Sequence, residues 1–135
     1  MIAYIDSLDS VTVEHLSGGF FVGWPNPPAP PNHFRILQQS VAIVLAWTGD
    51  GKVVGFITAI SDGASCAYIP HPEVLPAYQG KGIGSELVRR MLARLQHLYM
   101  IDLLCDPGVQ PFSMRMGMRP ATGMLIRNYD RQACD

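Results

Sequence analysis

The feature that most constrains this chain is the run Val74-Leu75-Pro76-Ala77-Tyr78-Gln79-Gly80-Lys81-Gly82-Ile83-Gly84, which leads a strand-like segment through glycines into the strongest helix signal of the sequence. From Gly82 to Leu98 the apolar residues Ile83, Leu87, Val88, Met91, Leu92, Leu95 and Leu98 recur at three-to-four spacing and form one stripe. The opposite face carries Glu86, Arg89, Arg90 and Arg94. Glu86 and Arg90 are spaced to pair, for a gain of about 0.2–0.5 kcal/mol. Gly80, Gly82 and Gly84 have no Cβ, so successive amides can converge on an anion, and a helix N-terminus adds about half a positive charge. Lys81 adds a full charge. A phosphate site is therefore expected at this turn. A plain strand-to-helix connection would need neither the three glycines nor the lysine.

The spacing separates this turn from other phosphate motifs. The dinucleotide fingerprint GxGxxG fails because Ser85 stands where its third glycine would be, counted from Gly80 and Gly82. The Walker A pattern fails because Lys81 is followed by Gly82 rather than Ser or Thr, with no glycine five residues ahead of Gly80. What the turn matches is Q/R-x-x-G-x-G/A, at Gln79, Gly82 and Gly84. In this the chain resembles the GNAT family of N-acetyltransferases. The resemblance is strong from Ala67 to Leu98 and extends to Gly117 through Gln110-Pro111-Phe112-Ser113-Met114-Arg115-Met116-Gly117-Met118, a diverged copy of the family's second cofactor segment. In the first 65 residues only the order of elements matches.

The resemblance implies that the amides of Gln79, Gly80, Lys81, Gly82, Ile83, Gly84 and Ser85 hold the pyrophosphate of acetyl-CoA. It further implies that the preceding strand splays from its neighbour, with Val74 and Leu75 pairing with the pantetheine arm and polarising the thioester. Phe112 would pack along that arm, a core position being its equal alternative. The family's usual tyrosine acid falls here on Ser113, a shorter and much weaker acid, so direct donation from it is doubtful. A thiol has a pKa of about 8.5, which makes a dedicated acid useful rather than essential.

Acetyl transfer to an amine needs the nucleophile neutral, whereas an alkyl ammonium has a pKa of about 10, so a base must assist. Glu73, immediately before the splayed residues, is the first candidate and His71, two residues earlier on the same strand face, the second. A surface carboxylate is an equally good account of Glu73. The segment Gly18 to Phe34 occupies the place where relatives build the acceptor wall, and Phe20, Phe21, Trp24 and His33 are its candidate pocket residues. Core or dimer contacts compete with that role for each of them. His15 and His97 fall on predicted helices without partners at metal spacing, and no metal is expected.

The remaining elements read as a mixed α/β sheet, mostly antiparallel, in a single domain over 1–135. Met1 to Ile5 reads as a first strand, and Ser10 as the cap of a short helix from Val11 to Leu16 ended by Gly18-Gly19. Phe20 to Pro31, rich in proline, reads as a polyproline-like loop, and Asn32 to Gln39 as a helix with Phe34, Ile36 and Leu37 inward. Val41–Trp47 and Val53–Ile60 read as a hairpin closed by Thr48-Gly49-Asp50-Gly51. Ser65 to Leu75 follows the turn at Asp62-Gly63 as a strand that Pro70 and Pro72 make irregular. Met100 to Cys105 reads as a buried strand, Val109 to Met116 as a short helix capped by Gly117, and Met124 to Asn128 as a final strand.

With a net charge of -1, the chain has no general attraction to nucleic acid or anionic membrane, so phosphate binding must be local. Cys66, Cys105 and Cys134 are odd in number and widely spaced, which suggests neither disulfides nor zinc. With Asp6 and Asp9 interrupting the first apolar residues and no long apolar span, the expected location is cytoplasmic. The expected partner is a small-molecule primary amine. A homodimer through the carboxy-terminal strand or the Trp24 loop is compatible with the sequence but not demanded by it. A non-catalytic acyl-CoA-binding module remains the alternative to an enzyme, since Ser113 replaces the usual acid.

Overall fold

The computed structural model describes residues 1–135. Six strands make one mixed sheet: β1 (Ile2–Ile5), β2 (Ala42–Thr48), β3 (Val53–Ser61), β4 (Cys66–Tyr68), β5 (Pro72–Val74) and β6 (Met100–Asp102). The order is β1-β2-β3-β4-β6, with β5 also pairing β3; all pairings are antiparallel except β4 with β6. Three α-helices accompany it: α1 (Pro30–Gln39), α2 (Ile83–Leu95) and α3 (Gln110–Arg115).

The β2–β3 hairpin forms as its β-branched runs require, and its turn places Gly51 at φ +83°. Period-two alternation then sorts the two helical layers. Gly55 of β3 faces α2, where a Cβ would lie 3.1 Å from Leu87 Cδ1, so the helix packs against a position that only glycine leaves open. Phe56, the next residue, faces the other way and stacks on His33 of α1 at 4.4 Å between ring centroids. The two helices therefore cover opposite faces, and a cluster of 24 buried hydrophobic residues fills the layers between them.

Several expected boundaries shift for local reasons. The segment expected as a helix from Val11 is a single 3-10 turn, Val13–Leu16, with Thr12 rather than Ser10 at its cap and His15 Nδ1 accepting the Thr12 amide at 3.0 Å. Helix α1 begins at Pro30, not Asn32. Its first two residues are prolines, whose missing N–H groups are orphans in a first turn anyway. Helix α2 ends at Leu95 rather than Leu98, β6 stops at Asp102, and α3 is preceded by a 3-10 turn at Pro107–Val109. Gly117, at φ +93°, does follow α3, its amide donating to the Met114 carbonyl at 3.0 Å.

The expected strand Ser65–Leu75 is broken in two. Partner numbers in β3–β4 sum to 128 (Ile60 with Tyr68) and in β3–β5 to 129 (Phe56 with Glu73), a one-residue bulge across Ile69, Pro70 and His71. Strand β6 pairs only with β4, before the bulge, so β5 has no partner on its outer edge. The final strand expected at Met124–Asn128 does not form. These residues are exposed and lie outside any strand, because no sheet edge of the chain meets them.

Candidate coenzyme and acceptor site

The turn leaving β5 supplies a row of unused donors. Tyr78 and Gln79 amides bond back to Leu75 and Pro76, and the Glu86 amide reaches the Gly82 carbonyl at 3.1 Å. Between them, the amides of Gly80, Lys81, Gly82, Ile83, Gly84 and Ser85 donate to no group of the protein. Gly82 caps α2 in the left-handed region (φ +84°), with Gly80 likewise at φ +77°, and neither has a neighbour within 4 Å of a Cβ position. No side chain caps the helix. Glu86, the acid of its first turn, is held by Arg89 and by Arg90 at 2.6 Å, which keep its pKa down to about 2 and engage its charge on the outer face.

Five of these six residues border a cavity of about 250 Å³ lined by Val74, Tyr78, Gln79, Gly80, Gly82, Ile83, Gly84, Ser85 and Phe112. Eight of the ten residues expected to hold the coenzyme line it together, with Phe112 arriving from α3. Lys81 does not: its Nζ lies 5.5 Å from the Tyr78 ring centroid, and it borders a second hollow of about 460 Å³ with Tyr78 and Asp50. Leu75 is buried and its amide bonds to the Val54 carbonyl at 2.8 Å. Tyr78, which lines both hollows, was missed by the sequence reading, although it stands directly before Gln79.

Ladder alternation fixes which groups β5 presents outward. Leu75 pairs with Val54, and the Thr58 amide bonds to the His71 carbonyl at 3.1 Å, so Val74 turns its amide and carbonyl away from β3. Gln79 Nε2 donates to that carbonyl at 3.0 Å, tying the turn to the strand and leaving the Val74 amide free.

The acceptor-side residues gather on the other face of the same strand. Phe20, Phe21, Trp24, His33, Phe56 and His71 form one aromatic cluster, with centroid separations from 4.4 to 6.4 Å. Phe56, its centre, was also missed; nothing in a regular strand distinguishes it by sequence. Phe21 sits at φ +64°, a conformation costly for a bulky residue. Glu73 holds it there: both carboxylate oxygens accept the Phe21 amide at 2.9 Å, and one accepts the Val22 amide at 3.3 Å.

His33 is fully buried and its Nε2 has no partner. Burial, with the nearby His71 as a lesser cause, lowers its pKa to about 4. His71 is half-buried, and burial also lowers its pKa, so it is neutral near pH 7. No hydrogen bond to another side chain or to backbone engages its ring. Phe20 and His33 are packed inside the cluster rather than lining an open pocket, whereas Trp24 is partly exposed. Ser113 is buried, does not border the coenzyme cavity, and its carbonyl takes the Met116 and Met118 amides.

The family's model, described as Acetyltransferase (GNAT) family, matches residues 11–118. The chain belongs to this family. It is 30% identical over 87% of its length to a ycf52-like N-acetyltransferase of Prochlorococcus marinus, of which it covers 66%. A crystal structure from Deinococcus radiodurans R1, assigned as an acetyltransferase, is 48% identical with a TM-score of 0.95, covering 98% of this chain and 92% of that one. The fold, at a TM-score of 0.65 and 16% identity, is also that of AAC(6')-Iy, solved with a CoA-linked bisubstrate analogue and covered over 97% of its chain, 95% of this one. The chain spans about three-fifths of the length of the curated relatives it matches, 58–66%. No helix is long and apolar enough to cross a membrane.

Proposed function

We propose that the protein transfers an acetyl group from acetyl-CoA to a primary amine of a small molecule, by direct attack on the thioester. The observation that carries this reading is the row of six unpartnered amides, Gly80 to Ser85, five of whose residues line a cavity that also takes in Val74 and Phe112. Such a row suits a diphosphate, whose oxygens accept several charge-assisted bonds at once. The residues present fit the coenzyme. Gly80 to Ser85 would hold its pyrophosphate, Phe112 would pack on its arm, and the Val74 amide would pair with it. Bound there, acetyl-CoA supplies the activated acyl group.

The chemistry left to the chain is proton handling. As the amine nitrogen bonds to the carbonyl carbon, the C–S bond breaks, the nitrogen sheds a proton and the thiolate takes one up. The order of base candidates reverses on geometry. Glu73 has both oxygens occupied by the Phe21 and Val22 amides, which suits it to hold the acceptor loop. His71, neutral and free of other bonds, accepts the proton. That AAC(6')-Iy holds a CoA–aminoglycoside-type analogue on the same fold supports a small polar amine, and the partly exposed Trp24 offers it an apolar wall.

A second reading, an acyl-CoA-binding module without turnover, is favoured by one observation: Ser113 is buried and does not border the cavity, where relatives place a tyrosine acid. Release of free thiol from acetyl-CoA across a panel of small amines separates the two. Amine-dependent thiol release is expected; tight CoA binding with no release from any amine would give the second reading the field.

A further inference from the structure

Two buried side-chain atoms have no hydrogen-bond partner, His33 Nε2 and Thr58 Oγ1. Thr58 lies inside β3 and is fully buried. A valine there would fill nearly the same volume without a hydroxyl to satisfy, and buried polar groups are paired almost throughout folded proteins. A hydroxyl kept in such a place calls for a partner.

The surroundings of Thr58 leave one. By period two it shares the face of Phe56, which stacks on His33 in the aromatic cluster. Its neighbours on that face along β3 are Phe56 and Ile60, and its partner in β2 is Ile43, all three apolar. The fourth flank is His71. The register that joins Ile57 to Pro72 and Phe56 to Glu73 sets His71 opposite Thr58, and the Thr58 amide donates to the His71 carbonyl at 3.1 Å. Cross-strand partners have Cβ atoms about 4.5–5.5 Å apart, within a rotamer change of a bond between hydroxyl and imidazole. The other titratable groups facing His71 are His33 of α1, whose Nε2 bonds nothing, and Glu73, whose oxygens hold the Phe21 and Val22 amides.

We propose that Thr58 is a positioning residue for His71, a role that rests on the reading of His71 as the base. Its hydroxyl oxygen accepts the N–H of one ring nitrogen while the other ring nitrogen takes the proton of the acceptor amine. A neutral imidazole has one N–H and one lone pair, so binding the N–H fixes which nitrogen is left to the amine. Once the proton has moved, the same oxygen holds the imidazolium through a charge-assisted bond. Thr58 does not border the coenzyme cavity and acts through His71 alone.

The test compares Thr58→Val with Thr58→Ser, by NMR titration of the His71 ring in the free protein and by steady-state kinetics with acetyl-CoA and the amine that wild type acetylates fastest. Losing the hydroxyl takes a partner from the charged ring, so Thr58→Val should move both the His71 titration and the acid limb of kcat/KM to lower pH. Its kcat should fall about tenfold or more, the order of one charge-assisted bond, with the amine KM and CoA affinity unchanged. Thr58→Ser, which keeps the oxygen, should titrate as wild type does. A His71 titration unmoved in Thr58→Val, or moved equally in Thr58→Ser, would overturn the proposal. A titration that moves while kcat and the acid limb stay in place would instead refute His71 as the base, and the positioning role with it.

Discussion

Replacing Gly82 with alanine tests the coenzyme turn with a magnitude that the geometry fixes in advance. Gly82 is at φ +84° and a Cβ there meets no atom within 4 Å, so the free protein bears only the conformational cost of a left-handed alanine. That is about 1–2 kcal/mol, several degrees in Tm. The added methyl stands among the amides of the turn, where a diphosphate oxygen would have to sit. Losing one or two charge-assisted bonds at about 1.5–3 kcal/mol each would weaken CoA by roughly a hundredfold. With CoA at a hundred times the wild-type Kd, the ligand stabilises wild type by about 2.7 kcal/mol, and the variant, then near its own Kd, by only about 0.4 kcal/mol. Gly63→Ala is the control. Gly63 has φ +78° and equally empty surroundings, but lies in the β3–β4 turn far along the chain from the cavity. Thermal shift with and without CoA should show both variants destabilised and only Gly82→Ala deaf to the ligand. A Gly82→Ala protein with the full CoA shift, or a Gly63→Ala protein that loses it too, would refute the reasoning.

Other perturbations address the acceptor face. His71→Gln should lower kcat/KM by about 10²–10⁴-fold while leaving CoA affinity intact. In wild type the acid limb of the rate profile should inflect below the ordinary histidine value, since burial lowers the His71 pKa, and the variant should lose that limb. Glu73→Ala should release the strained Phe21 turn and raise KM for the amine more than it lowers kcat, read by steady-state kinetics across amine concentrations. His33, neutral when folded with a pKa of about 4, binds its proton more readily unfolded. Stability should therefore fall as pH drops from about 6.5 to 4, by about 3 kcal/mol, and His33→Phe should flatten that part of the Tm–pH curve. An unchanged slope in the variant would assign the loss to other groups.

The candidate coenzyme turn was legible as a glycine-rich strand-to-helix connection because its determinants are local. Glycines that permit positive φ, a helix stripe and the Gln79 spacing all lie within a few residues, and the structure adds only which amides stay unpaired. The prolines at 70 and 72 likewise announced an irregular strand, though not that the irregularity is a single extra residue. The acceptor half depends on contacts across 52 positions, such as Glu73 with Phe21, which no local pattern encodes. Met124–Asn128 was read as a strand from its apolar content, which reports preference for a sheet but not the presence of an edge to join.

The two halves meet in a strand of three residues, and its alternation explains why they do not interfere. Val74 pairs with Gly55 and faces α2, its Cγ2 lying 3.8 Å from a Cβ position on Gly84, while Glu73 pairs with Phe56 and faces the aromatic cluster. The bulge at Ile69–His71 is what sets this phase. Were the same sequence to run on in the register of β4 with no bulge, Phe56 would pair with Pro72 and Gly55 with Glu73, and by period two Glu73 would turn toward the coenzyme and Val74 toward the loop. A carboxylate would then stand against the diphosphate amides, and nothing would hold Phe21 in its left-handed turn. Deleting Pro70 removes the extra residue and leaves Glu73 opposite Phe56, so CoA affinity and the KM for the amine should both be kept, whereas exchanging Glu73 and Val74 in the sequence should cost both.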